Sequence, residues 1–545
     1  MTNDAVFESP FRVDGEAREE SPFPHVWAAC VGAGRANEAL RADWQAQFAE
    51  AVDTCGFRYV RFHGVFHDDM FVYRESYGHG FGPNTPLPAP LYTFSYVDKV
   101  FDFILERGAR PFVELGFMPR ELATVPETVF WWGAHGSPPK DMGRWVELVT
   151  AAVEHWIDRY GPAEVRQWRF EVWNEPNLVP HFWTGTKTQY FELYEQTVRA
   201  VKKIDPELKV GGPATSVFVP DDRYKGEVED RSAMRLTATT RDVDALNWRP
   251  VWIDDFLAYC VARDLPVDFV STHLYPTDFA YGADGRGVHI ARYADATIDD
   301  LTLLRGLVAG SAYPDAEIHI TEWSTSPSAR DFMHDTLFAA TFITRSYLMS
   351  ATLADSISYW TFTDVFEEGG AGIGPFHGGF GLMNEAGIHK PTFHAFAMLG
   401  RLGDRLLLAA PDGVVTRDSR TSAVSALFFN YPDEMALRSI GTAGTYAATR
   451  ELAGLGPARR VRHSVGGLEP GTAFLVEVLD WEHGNVAEAW HRLGAALNPS
   501  REQTAYLRVV ADSLRRFTLT VPADGVLAID VDLPPWAVMS VRQAA

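Results

Sequence analysis

Short apolar runs alternate with amphipathic stretches over roughly the first two thirds of the chain. Eight such runs stand out, at residues 25–32, 57–63, 110–117, 167–175, 208–213, 267–275, 317–323 and 356–364. Their length and their β-branched and aromatic content read as buried strands. Helical patterns lie between most of them, for example at 38–52, 96–107 and 141–160. In the last, Trp145, Val146, Val149, Val153 and Trp156 recur at three- and four-residue steps and make one apolar stripe. Strand–helix alternation predicts a parallel sheet. Eight repeats predict a closed (β/α)8 TIM barrel over residues 25–394, with a doubly wound open sheet as the rival.

Two regions depart from this rhythm. Residues 217–250 are too polar and too long for an ordinary strand-to-helix loop. They read as a mobile insertion, or as a flap at the cleft rim or the contact of a homo-oligomer, dimer or tetramer. From 395 to 545 short alternating runs take over, at 423–430, 472–480, 516–521 and 537–541, with one helix at 500–515. This predicts an antiparallel β-sandwich accessory domain, to which the N-terminal segment 1–24 would add a strand.

Composition narrows the function by exclusion. The net charge of −23 disfavours nucleic acid and anionic membranes, because phosphate recognition needs clustered Lys and Arg. No run approaches the ~20 apolar residues of a membrane span, and the acidic N-terminus lacks a secretory apolar core, so cytoplasmic residence is expected. Cys30, Cys55 and Cys260 have no metal or disulfide spacing. With no nucleotide motif either, no cofactor and no metal are expected.

The chemistry is concentrated at two strand ends. Glu175 closes one apolar run and is followed by Pro176; Glu322 closes another and is followed by Trp323. In a parallel barrel the carboxyl ends of the strands are where catalytic groups gather. Glycosidic bond cleavage needs a proton donor for the leaving oxygen and a second group for the cationic anomeric carbon. Two carboxyls serve if their surroundings separate their pKa values. A lone strand-end Glu is usually a cap or an ion pair, but no packing need explains the whole run Trp173-Asn174-Glu175-Pro176-Asn177.

That run resembles the acid/base motif of the barrel glycosidases that carry catalytic glutamates on strands four and seven. Further runs narrow the resemblance to glycoside hydrolase family 39, the β-xylosidases and α-L-iduronidases. They are Arg61-Phe62-His63-Gly64, Arg110-Pro111-Phe112-Val113-Glu114-Leu115-Gly116-Phe117, Tyr359-Trp360-Thr361-Phe362-Thr363-Asp364 through Glu367-Glu368, and Gly378-Gly379-Phe380-Gly381. The resemblance implies Glu175 as acid/base and Glu322 as nucleophile of a retaining mechanism. It implies Asn174 on the sugar 2-OH, His63 and His273 on sugar hydroxyls, Tyr275 orienting the nucleophile and Arg61 beneath it. Trp360 would be the platform under the ring, followed by a cis peptide bond. Phe117 would wall the pocket, and Glu367 or Glu368 would bind outer hydroxyls.

The substrate implied is a neutral sugar, with β-xylosidase action on xylo-oligosaccharides and xylan degradation as the leading expectation. Arabinoside, glucoside, galactoside and iduronidase-like activities are the alternatives, as is transglycosylation on the same residues. A non-catalytic glycan-binding protein would lack one of the two carboxyls, and both are present.

Overall fold

The computed structural model describes residues 11–12, 20–78, 84–216, 218–220, 248–281, 287–436 and 444–544. Eight parallel strands close into a barrel: Val31–Arg35, Tyr59–His63, Arg110–Leu115, Arg169–Val172, Lys209–Thr215, Phe269–His273, Glu317–Trp323 and Ser356–Tyr359. Each pairs with the next in sequence, and Tyr359 pairs with Val31 to complete the ring. Seven of the eight expected runs coincide with these strands. The first does not. Val26–Ala29 is a buried helical turn, and the strand follows it at Val31–Arg35. A short apolar run bears no periodicity that separates a buried helix from a buried strand.

The barrel interior is layered. Phe112, Phe269 and His319 meet near the amino ends of their strands, with ring centroids 5.3–5.5 Å apart, and form an apolar floor with Cys30. Above it, side chains of the same inward parity are charged: Arg61, Glu114 and Glu171. The floor keeps water from reaching those charges from below. Several helices cover the outside of the barrel with one apolar face, whereas Leu337–Ser350 and Pro391–Leu399 are buried on nearly all sides. On Met142–Tyr160 four of the five predicted stripe residues, Trp145, Val149, Val153 and Trp156, are buried together with Leu148 and Ala152, while Val146 at the edge is half-buried. Asp141 caps the first turn by accepting from Arg144 N–H. Most of the polar insertion at 217–250 lies outside the described residues. Its described ends, Phe218–Pro220 and Trp248–Pro250, pair antiparallel.

The C-terminal part is a β-sandwich. One antiparallel sheet has seven strands: Ser21–Pro22, Arg405–Ala410, Gly413–Arg417, Val424–Phe429, Val538–Gln543, Ala473–Leu479 and Arg515–Thr520. Arg459–Gly466 and Leu527–Leu533 form the second sheet with Phe11–Arg12. Val415, Val424, Phe428, Val476 and Met539 of the first face Val461, Val465 and Ile529 of the second in one apolar core. The expected helix is shorter, Arg501–Ala511 capped by Ser500, because Arg515 already begins a strand. The helices Tyr446–Ala453 and Val486–Arg492 had no clear signal in the sequence.

Barrel and sandwich share a seam. Phe338 and Phe342, on the barrel helix Leu337–Ser350, pack with Tyr431 and Trp536 from the sandwich. Thr341 on the same helix donates its hydroxyl to the Trp536 carbonyl. Among the described residues, no helix is long and apolar enough to cross a membrane. The three cysteines are buried and unpaired.

Candidate active site

The carboxyl end of the barrel gathers most of the charged residues singled out in the sequence. Arg61 is fully buried and central. Its Nε donates to Glu171 Oε2 at 2.6 Å, Nη1 to Glu322 Oε1 at 2.8 Å and Nη2 to Asn174 Oδ1 at 2.8 Å. Nη2 also lies 2.9 Å from Glu114 Oε2. A buried guanidinium is tolerable only when carboxylates offset its lost hydration, and three do. Glu171 is held from its other oxygen by the Thr321 hydroxyl at 2.8 Å.

The loop after barrel strand four owes its shape to side chains of the Trp-Asn-Glu-Pro-Asn run. Trp173 and Glu175 both have left-handed backbones, with φ of 75° and 46°, a conformation that costs a non-glycine residue on the order of 1–3 kcal/mol. Several bonds hold it. Glu175 N–H donates to the Ala214 carbonyl at 2.8 Å, and Trp173 Nε1 donates to the Phe182 carbonyl at 2.9 Å. Asn177 staples the loop to Ser216 by accepting from its N–H at 2.7 Å and donating to its carbonyl at 3.0 Å.

So placed, Glu175 and Glu322 face each other. One oxygen from each and a ring nitrogen of His273 all lie within 4.8 Å of one another. His273 Nδ1 is 2.8 Å from Glu175 Oε1, and the Tyr275 hydroxyl donates to Glu322 Oε2 at 3.0 Å. The two carboxyls sit in different electrostatic settings. Burial lifts Glu175 to a pKa of about 7, against a hydrogen bond from Ser216 and the charges of His63 and Arg61. Burial also raises Glu322, but there His273 and Arg61 oppose it, and Arg61 is in direct contact. One carboxyl is thus suited to hold a proton near neutrality while its neighbour is ion-paired.

His63 Nδ1 lies 2.6 Å from Glu114 Oε2. Burial works against a charge on this imidazole, yet Glu114 outweighs it and lifts the pKa to about 10. Glu114 moves the other way, below the usual carboxylate range: burial raises it, and His63 and Arg61 more than reverse that. His63 Nε2 reaches Glu368 Oε1 at 3.5 Å and Glu322 Oε1 at 3.6 Å. The ring of Trp360 stands 4.7 Å from His63, centroid to centroid. A β-carbon on Gly32 would sit 2.3 Å from that indole, so only glycine lets Trp360 lie against the first strand. The Trp360–Thr361 peptide bond is cis, as the resemblance implied. Phe117 and Phe130 flank His63 from the other side, each with its ring centroid 5.8 Å away.

Of the two outer glutamates, the structure turns only Glu368 toward His63. Glu367 pairs instead with Arg41 at 2.8 Å and Arg35 at 3.3 Å, outside the carboxyl cluster. Sequence reasoning had not singled out Glu171, Ser216 or Phe130, and had given Glu114 no role. The available signal for Glu114 and Glu171 was an acidic residue inside an apolar barrel strand. The ladder sets these two opposite each other, beside Arg61.

Sequence and structural comparisons agree on the family and the fold. The family model described as Glycosyl hydrolases family 39 matches residues 11–231 and 247–528. The β-xylosidase of Geobacillus stearothermophilus is 35% identical over 494 residues, covering 90% of this chain and 86% of that protein. The β-xylosidase of Caldicellulosiruptor saccharolyticus is 34% identical over 526 residues, covering 94% of each. A crystal structure of a monomeric β-xylosidase from Caulobacter crescentus CB15 superposes with a TM-score of 0.80 at 31% identity, covering 98% of each chain. On the barrel, the carboxyl cluster and these matches together, the chain belongs to glycosyl hydrolase family 39.

Proposed function

We propose that this protein is a retaining, exo-acting β-D-xylosidase that releases xylose from the non-reducing ends of xylo-oligosaccharides. The observation that carries the reading is the approach of Glu175 and Glu322 to within 4.8 Å. Retaining enzymes hold their carboxyls ~5–5.5 Å apart, whereas inverting enzymes need ~6.5–9.5 Å to fit a water. Glu322, ion-paired to Arg61 and bonded by Tyr275, attacks the anomeric carbon. Glu175 gives its proton to the departing glycosidic oxygen. In the second step Glu175 takes a proton from water as that water displaces Glu322. Asn174, oriented by Arg61, presents its amide to the 2-OH, and Trp360 lies under the ring.

The sugar reading rests on what the strand ends lack among the described residues as well as on the relatives. A uronate would call for a Lys or Arg aimed at its carboxylate. Arg35 and Arg61, at the carboxyl ends of the first two barrel strands, are already committed to Asp69 and Glu367 and to Glu114, Glu171 and Glu322. The aromatic walls Phe117, Phe130 and Trp360 suit a pentose without a hydroxymethyl group. Action on xylan fragments in the cytoplasm is part of this proposal, and three unpaired buried thiols are compatible with a reducing compartment.

A panel of nitrophenyl glycosides tests the sugar. The β-xyloside should exceed the arabinoside, glucoside and galactoside in kcat/KM by on the order of 10-fold or more. Preference for another sugar would replace xylose in the proposal.

The pH profile tests the acid. Glu175 must be protonated to act as donor, and its pKa is raised to about 7. The competent form is therefore present below about pH 7 and is lost above it. With xylobiose, kcat/KM should fall roughly tenfold per pH unit on the alkaline side of that limb. A limb near 4.5 would contradict the raised carboxyl.

A further inference from the structure

His273 ends barrel strand six and is fully buried. The ladder with strand seven slips between Thr272 and His273, and this slip sets His273 opposite Glu322. One ring nitrogen, Nδ1, serves both carboxyls, at 2.8 Å from Glu175 Oε1 and 3.5 Å from Glu322 Oε2. The other, Nε2, is sealed from solvent and has no partner among the described residues. A ring with one nitrogen turned to the carboxyls and the other closed off offers no free nitrogen to a sugar hydroxyl. That is a poor fit to the substrate-binding role suggested by the resemblance.

The ring is also electrically quiet. Burial lowers its pKa to about 4, and Arg61 and His63 act in the same direction, against Glu322 and Glu171. The groups facing it are Arg61 and His63 from strand two, Glu171 and Glu175 from strand four and its loop, Glu322 from strand seven, and Tyr275 two residues on. A neutral imidazole has a single N–H. On Nε2 it would be a buried donor without an acceptor, which proteins rarely tolerate. On Nδ1 it points at two carboxyl oxygens.

We propose that His273 is a positioning residue that shares its one N–H between the two carboxyls and follows the negative charge from Glu322 to Glu175 when the glycosyl-enzyme forms. The inference rests on the acid/base and nucleophile roles proposed above. In the first step a bond forms from Glu322 to the anomeric carbon, the glycosidic bond breaks, and the Glu175 proton leaves with the departing oxygen. Glu322 becomes a neutral ester and Glu175 an anion. The N–H then finds its stronger acceptor on the nearer oxygen, at Glu175. This stabilises the carboxylate that must next accept a proton from water. When Glu322 is released, the charge returns to it and the N–H is shared again.

The test uses His273→Ala and His273→Asn in the full chain, the asparagine placing an amide N–H close to where Nδ1 stood. His273→Leu substitutes for the alanine variant if that fails to fold. Loss of a donor to the ionised form should move the alkaline limb of kcat/KM upward by about one pH unit. It should also slow hydrolysis of the intermediate, so that a dinitrophenyl xyloside gives a burst of phenol and kcat falls ~10–100-fold, more than kcat/KM. His273→Asn should restore the limb and remove the burst. An unmoved limb with a raised KM would instead assign a sugar contact and overturn the proposal. So would an asparagine variant no better than alanine. The carboxyl roles are checked separately by azide rescue of Glu322→Ala and Glu175→Ala, so their failure would be distinct from failure at His273.

Discussion

Glu322→Ala is expected to lower turnover of an aryl β-xyloside by ~10⁴-fold or more, the scale on which removing a covalent nucleophile acts. Arg61 makes the variant interpretable. It loses one carboxylate but keeps Glu171, Glu114 and Asn174, so the buried cation stays compensated and the barrel should fold. The missing carboxylate leaves room for a small anion beside a fixed positive charge. Azide should enter there and attack the anomeric carbon, and the product should be the inverted α-xylosyl azide. Folding can be checked by its melting curve, and the anomeric configuration by NMR. Activity close to wild type, or azide rescue with retained configuration, would remove Glu322 from the nucleophile role.

Glu175→Ala should separate substrates by leaving group. Xylobiose releases an alkoxide unless a proton arrives, and its hydrolysis should fall ~10²–10⁴-fold. A dinitrophenol leaves as a stable anion, so formation of the intermediate from that substrate should change little. Hydrolysis of the intermediate still loses its base, so this second displacement should become limiting, and azide should now accelerate it with retention. Equal losses on both substrates would argue against proton donation by Glu175. The two variants together predict opposite stereochemistry with one reagent.

The strands and the paired carboxyls were legible because each rests on short-range pattern. A buried barrel strand must be apolar, so a glutamate at its end is conspicuous. A glutamate followed by proline, with asparagines on both sides, has no packing explanation. The partners of those residues were less legible. Glu171 joins Arg61 only because strands two, three and four stand side by side, and no local signal marks that pair. The choice between Glu367 and Glu368 turned on Arg35 and Arg41, more than 300 residues earlier in the chain. The first strand was displaced because Val26–Ala29 is apolar all round, as a buried helix or a buried strand would be. In the sandwich, Arg459–Gly466 went unread because Arg459, Arg460, Arg462 and His463 dilute its alternation, and only Val461, Val465 and Gly466 are buried.

Trp536 has a consequence for how the molecule comes apart. Its indole lies 5.4 Å from Phe338 and 5.2 Å from Tyr431, in an apolar cluster that runs without a break from the barrel helices into the sandwich. Neither half can melt while the other stays intact without exposing that seam to water. Calorimetry on the full chain should therefore record a single cooperative transition with equal calorimetric and van't Hoff enthalpies. A chain cut near residue 395, where the sequence pattern changes, should yield a barrel that aggregates. The place where the pattern changes is not the place where the protein can be divided.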